Sequence, residues 1–142
     1  MVFSRLIIAL FLTITSLSSS YAAGDDIVLV VNPQITEHQI SQSTVRTIFG
    51  MRLYNWKDYN IKVFVLPDDD PVHSMFSKQI LGMFPHQLRW AWDRQVFSGT
   101  GRAPIVVRNE EEMRQSVAST PGAIGYLRRS QVDGTVHVLS LK

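Results

Sequence analysis

Apolar and polar positions follow two different periods along the chain. Short apolar runs, most of them rich in β-branched residues, predict strands at residues 27–31, 61–66, 105–107, 123–127 and 136–141. Between these runs, apolar residues recur at helical spacing, which predicts helices over residues 40–49, 72–81, 85–97 and 110–119. Because strands and helices alternate, the pattern predicts an α/β domain with a largely buried sheet.

The predicted helix over residues 85–97 has apolar side chains on two opposite sides. We expect its wider face to pack into the core, with Phe84, Leu88, Ala91, Trp92 and Val96. Trp90 and Phe97 lie on nearly the opposite side of the helix. They are either buried under a neighbouring loop or form an exposed apolar patch that binds a partner. They are therefore the candidate partner surface.

The amino-terminal segment has the pattern of a secretory signal peptide. A short basic start precedes an apolar run at residues 6–14, and small residues follow up to Ala22. We expect cleavage after Ala22, which makes residues 1–22 the signal peptide and residues 23–142 a single domain. The apolar run is shorter than the ~20 residues that span a bilayer. The mature chain is thus predicted to be periplasmic without membrane insertion, and a retained anchor is the alternative.

Composition and charge narrow the function classes. The 142 residues include no cysteine, which excludes disulfides, cysteine-ligated zinc and a thiol nucleophile. The formal net charge is only +2, so no nucleic-acid partner is indicated. The histidines are dispersed and no Ser-His-Asp spacing is recognisable. The sequence therefore predicts no enzyme, no metal and no cofactor.

Two acidic segments are explained by helix starts. Asn109 is expected to cap a helix whose first turn carries the glutamates at 110–112, where the helix dipole favours negative charge. The aspartates at 68–70 are expected to cap the helix over residues 72–81. The alternative is that these aspartates and His73 form a metal-binding cluster, because hard cations take several oxygen ligands.

The most specific string of the chain is Thr-Pro-Gly-Ala-Ile-Gly-Tyr at residues 120–126, in which Gly125 is expected to let another backbone approach closely. With this string, the chain resembles the phosphate-binding components of ABC transporters (the PstS-like family of the periplasmic binding-protein superfamily). Segments 47–56, 61–76 and 92–104 match the same family in order. The resemblance implies a single lobe of a type 2 periplasmic binding-protein-like fold, with a mixed sheet flanked by helices, and phosphate transport or sensing.

The loop that holds the ligand in that family differs in this chain. With Phe76 as the anchor, the family's arginine position falls on Leu66, and its Ser-Gly-Thr triplet falls on Asp70, Pro71 and Val72. A hydroxyl is thereby replaced by a carboxylate, a backbone N–H is lost and the cation is missing. Oxyanion sites need such donors and cations. The resemblance therefore supports the fold more strongly than the phosphate ligand.

Candidate ligand-binding residues come from two segments, the predicted loop and helix start after residue 66 and the glycine-rich loop at 98–104. They are Asp70, His73, Ser74, Ser98, Thr100 and Arg102. The leading hypothesis is an exported, non-enzymatic module that binds a small solute or an envelope partner such as a sensor ectodomain or transporter component. The alternative is a genuine phosphate or oxyanion binder that uses Ser74 and Arg102, and a third hypothesis is a periplasmic metal-dependent hydrolase.

Overall fold

A computed structural model describes residues 26–142. Its strands are β1 Ile27–Val31, β2 Gln39–Ile40, β3 Asn55–Trp56, β4 Tyr59–Asn60, β5 Lys62–Val65, β6 Ile105–Val106, β7 Ala123–Arg128 and β8 His137–Leu141. Its helices are α1 Gln42–Phe49, α2 Pro71–Phe76, α3 Pro85–Phe97 and α4 Glu110–Ser119. The predicted signal peptide, residues 1–22, lies outside the described residues. No helix within residues 26–142 is long and apolar enough to cross a bilayer.

The main sheet is mixed and has the strand order β2-β8-β1-β7-β5-β6. Strand β7 pairs antiparallel with β1 and parallel with β5, and β6 pairs parallel with β5 at the far edge. Every residue of β1 is buried, as its continuous apolar run predicts. By contrast, both residues of the edge strand β6 are exposed. The predicted α/β class, with a mixed sheet flanked by helices, is confirmed.

Neighbouring residues of β7 show how the helices cover both faces of the sheet. Gly125 faces α4, because a Cβ there would meet Met113 Sδ at 2.5 Å and Val117 Cγ2 at 3.1 Å. Tyr126 points to the opposite face. There its ring stacks on Phe76 of α2, with centroids 3.8 Å apart. The predicted role of Gly125 is therefore wrong in one respect: it admits side chains of α4, not a backbone.

Two predicted helices differ from the structure. Ile40 does not start α1; it pairs with Leu141 of β8 as part of β2, and Ser41 caps α1 instead. The helix predicted over residues 72–81 starts as α2 and continues as a π-helical turn, Ser77–Leu81, that ends at Gly82. In this turn the Ser77 hydroxyl donates to the Met83 carbonyl at 2.7 Å. This hydrogen bond reaches Met83, beyond the end of the π-helical turn, and helical periodicity in the sequence does not predict it.

The core face of α3 is narrower than predicted. Leu88 and Trp92 are buried, and the Trp92 indole N–H donates to the Phe49 carbonyl oxygen at 2.6 Å. Phe84 and Val96 are instead exposed, so their prediction as core residues is wrong. Phe84 precedes the helix as its N-cap residue and its ring packs on His86. The helix thus contacts the core through a seam of residues spaced four apart.

Candidate functional site

The resemblance predicts a ligand loop at the β5–α2 turn, and the structure shows this turn as a helix cap. The Asp70 carboxylate accepts the Val72 N–H at 2.8 Å, and Pro71 occupies the first turn of α2. The Ser74 N–H donates to the Asp70 carbonyl at 3.1 Å. The predicted acidic cap is confirmed. In the first turn, the N–H groups of Val72 and Ser74 are therefore already satisfied, and Pro71 has no N–H to donate.

Asp68, in the same turn, is held by Arg89 of α3. The guanidinium donates to both carboxylate oxygens, from Nε at 2.7 Å and from Nη2 at 3.0 Å. This hydrogen bonding lowers the pKa of Asp68 below its usual value, although partial burial opposes the shift. The Arg89 guanidinium also lies over the Trp92 ring, 5.0 Å from its centroid. The turn carries an ion pair that ties it to α3.

His73 is fully buried beneath this turn. Its Nδ1 forms a short hydrogen bond with the Tyr126 hydroxyl, which also accepts the Leu66 N–H at 2.8 Å. We assign the Tyr126 O–H as the donor, since its oxygen already accepts from Leu66 and Nδ1 can then act as acceptor. The Nε2 atom has no hydrogen-bond partner and lies 3.9 Å from Asp68 Oδ1.

Burial controls the ionisation of this pair. Desolvation lowers the pKa of His73 below 6.5, and the charges of Asp68 and Asp70 only partly oppose it. Desolvation also raises the pKa of Tyr126 above its usual value. Both side chains are therefore neutral near pH 7. Within residues 26–142, no three His, Asp or Glu side chains are grouped closely enough to hold a metal ion.

The glycine-rich loop after α3 forms the second group of candidate residues. The Ser98 and Thr100 hydroxyls lie 2.6 Å apart, and both residues interact with Gln95. The Arg102 N–H donates to the Tyr54 hydroxyl at 3.2 Å. The loop is thus fixed to the end of α3 and to the segment before β3.

The structure separates the two groups of predicted ligand residues. Asp70, His73 and Ser74 follow the carboxyl end of β5. Ser98, Thr100 and Arg102 precede β6, which runs parallel to β5 with Phe64 beside Ile105. The glycine-rich loop therefore lies at the amino end of β5. Ser74 and Arg102 are not brought together into one ligand site.

A pocket of about 470 Å³ opens at this amino end of β5. We call it the β5 pocket. Its polar lining comes from Tyr54, Asn60, Lys62, Thr100 and Arg102, and its apolar lining from Met51, Ile61, Val63, Ala103 and Ile105. Among residues 26–142, neither Lys62 nor Arg102 forms an ion pair with a carboxylate. The pocket combines two available cations with an apolar wall.

Sequence reasoning missed Lys62 and Tyr54 as neighbours of Arg102. One signal was present, because Lys62 is the single charged residue of the predicted strand at 61–66. The contact between the segments depends on the parallel pairing of β5 and β6, which the sequence does not specify.

The predicted partner surface is exposed. Trp90 has 60% and Phe97 has 88% of its surface accessible, so burial under a neighbouring loop does not apply. The two rings lie on the solvent-facing side of α3, away from the buried seam of Leu88 and Trp92.

No protein-family model matches the chain, and no curated protein sequence is significantly similar to it. Solved structures with the same fold are nevertheless found. An ABC-type phosphate transport receptor from Vibrio cholerae aligns with a TM-score of 0.65 at 16% identity over 82% of this chain and 46% of its own length. A protein described as a phosphate ABC transporter substrate-binding protein from Clostridium perfringens, solved with bound phosphate, aligns with a TM-score of 0.65 at 18% identity. The alignment covers 82% of this chain and 45% of that protein.

PstS from Borrelia burgdorferi aligns with a TM-score of 0.64 at 19% identity, over 83% of this chain and 47% of that protein. The chain thus spans less than half the length of each of these three proteins. The likeness establishes the fold that the motifs at residues 47–126 predict. The chain has the fold of one part of a phosphate ABC transporter substrate-binding protein.

Proposed function

We propose that this chain is an exported, non-enzymatic binding module for a small anion, which binds in the β5 pocket. One observation carries the proposal: Lys62 and Arg102 line a common pocket and form no ion pair within residues 26–142. An ammonium and a guanidinium group beside hydroxyl donors are suited to an oxyanion. The fold neighbours, which are phosphate transport receptors, support an anionic ligand. The export signal predicted at residues 1–22 supports a periplasmic location.

The β5–α2 turn is the less favourable place for an anion. Asp69 is exposed there, the Asp70 carboxylate caps α2, and Asp68 already neutralises Arg89. An incoming anion would meet carboxylates and a proline nitrogen that cannot donate. The β5 pocket offers the opposite electrostatic environment at the other end of the same strand.

Calorimetric titration of the mature chain with inorganic phosphate, benzoate and neutral benzamide tests the proposal. We expect at least one of the two anions to bind and benzamide not to bind. Lys62→Gln and Arg102→Gln should each weaken anion binding about tenfold or more, since a hydrogen bond to a charged group contributes roughly 1.5–3 kcal/mol. Arg129→Gln, at an exposed arginine outside the pocket, is the matched control.

Two results would contradict the assignment. If neither anion binds at millimolar concentration, the β5 pocket is not an anion site. If Ser74→Ala abolishes phosphate binding while Lys62→Gln and Arg102→Gln preserve it, the phosphate is held at the β5–α2 turn and not in the β5 pocket.

A second function has its own support. The exposed rings of Trp90 and Phe97 favour binding of an envelope protein such as a sensor ectodomain or a transporter component. Docking of this kind is compatible with anion binding, because the β5 pocket does not include either ring.

A further inference from the structure

A groove of about 1060 Å³ runs along the solvent-facing side of α3. Trp90, Arg94 and Phe97 line it from the helix, where their spacing places them on one face. Arg46, Arg52 and Met83 line it from α1 and the adjoining turns. These six residues define the α3 groove. None of them lines the β5 pocket.

The Trp90 side chain of the α3 groove is exposed but contacts a neighbouring ring, whereas Phe97 is 88% exposed. The Trp90 ring meets the ring of His86 edge-on, with centroids 5.0 Å apart, and His86 in turn stacks on Phe84 at 5.7 Å. The rings of Phe84, His86 and Trp90 therefore form a row at the start of α3. Exposed aromatic residues that are held in place lose little conformational entropy on binding, and such residues dominate the energy of protein interfaces.

The groove also concentrates positive charge. Arg46, Arg52 and Arg94 line it together with one carboxylate, that of Asp93. None of these three arginines forms an ion pair within residues 26–142, whereas Asp93 lies 4.0 Å from Arg89. The formal excess in the groove is two positive charges, which equals the net charge of +2 of the entire sequence.

Arg46 is held in a defined orientation at the edge of the groove. Its Nε donates to the Leu81 carbonyl oxygen at 2.7 Å. Gly82 leaves the space for its guanidinium, because a Cβ at that position would lie 2.8 Å from Nη2. A guanidinium fixed in this way presents its remaining N–H groups in a fork that matches a carboxylate.

We propose that the α3 groove docks an acidic segment of a partner protein, with carboxylates against the arginines and an apolar side chain between Trp90 and Phe97. The proposal rests on the partner-binding function proposed above and names the chemistry of the partner. Symmetric pairing of two copies through this groove is disfavoured, because it would bring the same arginines of both copies together. A nucleic acid is less suited, because single-stranded sites follow a longer basic channel along the backbone.

Fluorescence anisotropy with defined peptides tests the proposal. The probe is a labelled peptide of about 12 residues that repeats Glu-Glu-Leu-Phe, a length similar to that of α3. Its analogues replace Glu by Gln or by Lys, and a labelled oligothymidine of similar length represents nucleic acid. We expect the mature chain to bind the acidic peptide at least tenfold more tightly than either analogue, with affinity that falls as salt is raised.

Substitutions in the groove should separate charge from apolar contact. The double variant Arg52→Glu, Arg94→Glu should weaken binding of the acidic peptide at least tenfold and reduce the salt dependence of that binding. The control Arg129→Glu, outside the groove, should change neither. Trp90→Ser should weaken binding of the acidic peptide about 30-fold, the loss typical of an interface hot spot. All these side chains are exposed. Unchanged thermal unfolding would verify that the variants are folded.

Each contrary result has a distinct meaning. If the acidic peptide does not bind at millimolar concentration, or if the Gln analogue binds as tightly, the acidic partner is wrong. Preferential binding of oligothymidine, or self-association that requires Trp90, would also overturn it. If Trp90→Ser weakens the probe but the arginine variants do not, the partner surface stands and its proposed charge preference fails. Lys62→Gln should leave peptide binding unchanged, which separates this site from the β5 pocket.

Discussion

Gly122→Ala is expected to lower the free energy of unfolding by about 3 kcal/mol or more, because two independent penalties coincide there. Gly122 has φ +76°, a conformation that costs an L-residue ~1–2 kcal/mol. A Cβ at this position would also fall inside the contact distance of the Asn60 carbonyl oxygen and 3.1 Å from the Asn60 carbonyl carbon. These are backbone atoms, so no side-chain rotation relieves the clash.

The clash would act on the centre of the sheet. The Gly122 carbonyl accepts the Lys62 N–H at 3.0 Å, and Lys62 pairs with Ala123 where β5 and β7 begin. Moving Asn60 away from an added methyl group would therefore strain the start of both strands. Because Asn60 and Lys62 also line the β5 pocket, the variant should lose anion binding together with stability.

Gly99→Ala is the matched control. Gly99 has φ +72°, nearly the same conformation, but nothing lies within 4 Å of the position that an added methyl group would occupy. We expect it to cost only the conformational penalty of ~1–2 kcal/mol. Urea denaturation of both variants measures the difference. Equal losses of stability would show that the Asn60 backbone yields without cost and would contradict the expected clash.

Acid is expected to destabilise the domain through His73. Burial holds the pKa of His73 below 6.5 in the folded chain, so the unfolded chain binds the proton more readily. Stability is then fully present above the unfolded pKa, and it is lost as the pH falls from 6.5 towards the lower folded pKa. The charged groups around the ring act in opposite senses: Asp68 and Asp70 favour the imidazolium, and Arg89 opposes it.

The hydrogen bond between His73 and Tyr126 also favours the neutral imidazole and so adds to the loss of stability in acid. Protonation of Nδ1 would remove the acceptor for the Tyr126 O–H, which would then have to rotate away from the His73 ring. Tyr126 also stacks on Phe76 and binds the Leu66 N–H, so it cannot turn away without leaving those contacts. The buried imidazolium would form no hydrogen bond with Asp68 unless that carboxylate moved from 3.9 Å into hydrogen-bond range.

His73→Asn should flatten the pH dependence, because the amide oxygen can accept from Tyr126 but does not titrate. The free energy of unfolding is measured by urea denaturation between about pH 5 and pH 7.5, the range in which histidine titrates. His86→Gln, at an exposed histidine on α3, is the control and should keep the wild-type slope. An unchanged slope in His73→Asn would exclude His73 as the acid-sensitive group.

Features that depend on neighbouring residues were predictable. The apolar run at residues 27–31 specifies the buried strand β1, and Asn109 caps α4 as expected, accepting the Glu112 N–H at 2.9 Å. Asp70 likewise caps α2. Strand periodicity and helix caps operate over a few residues, so their physical causes are readable in the sequence.

Contacts between distant segments were not predictable in the same way. Ile40 pairs with Leu141 in the sheet and is therefore not part of α1. Gly125 packs against the Met113 side chain instead of making the expected backbone contact. The exposure of Phe84 and Val96 followed from the narrow contact of α3 with the core. In each case the outcome depends on contacts between elements that are not adjacent in the chain, and local pattern carries little information about such contacts.

The sequence by itself determined the α/β class, the order of the five predicted strands and four predicted helices, and the loss of oxyanion donors at the β5–α2 turn, because these follow from residue type and short-range spacing. It did not predict the two-residue strands β2, β3 and β4. Only the tertiary structure decided which charges are satisfied. It paired Arg89 with Asp68, left Lys62 and Arg102 at one pocket, and gathered Arg46, Arg52 and Arg94 around α3. Strand order and helix packing set those distances, and electrostatic attraction depends on distance and burial rather than on position in the chain.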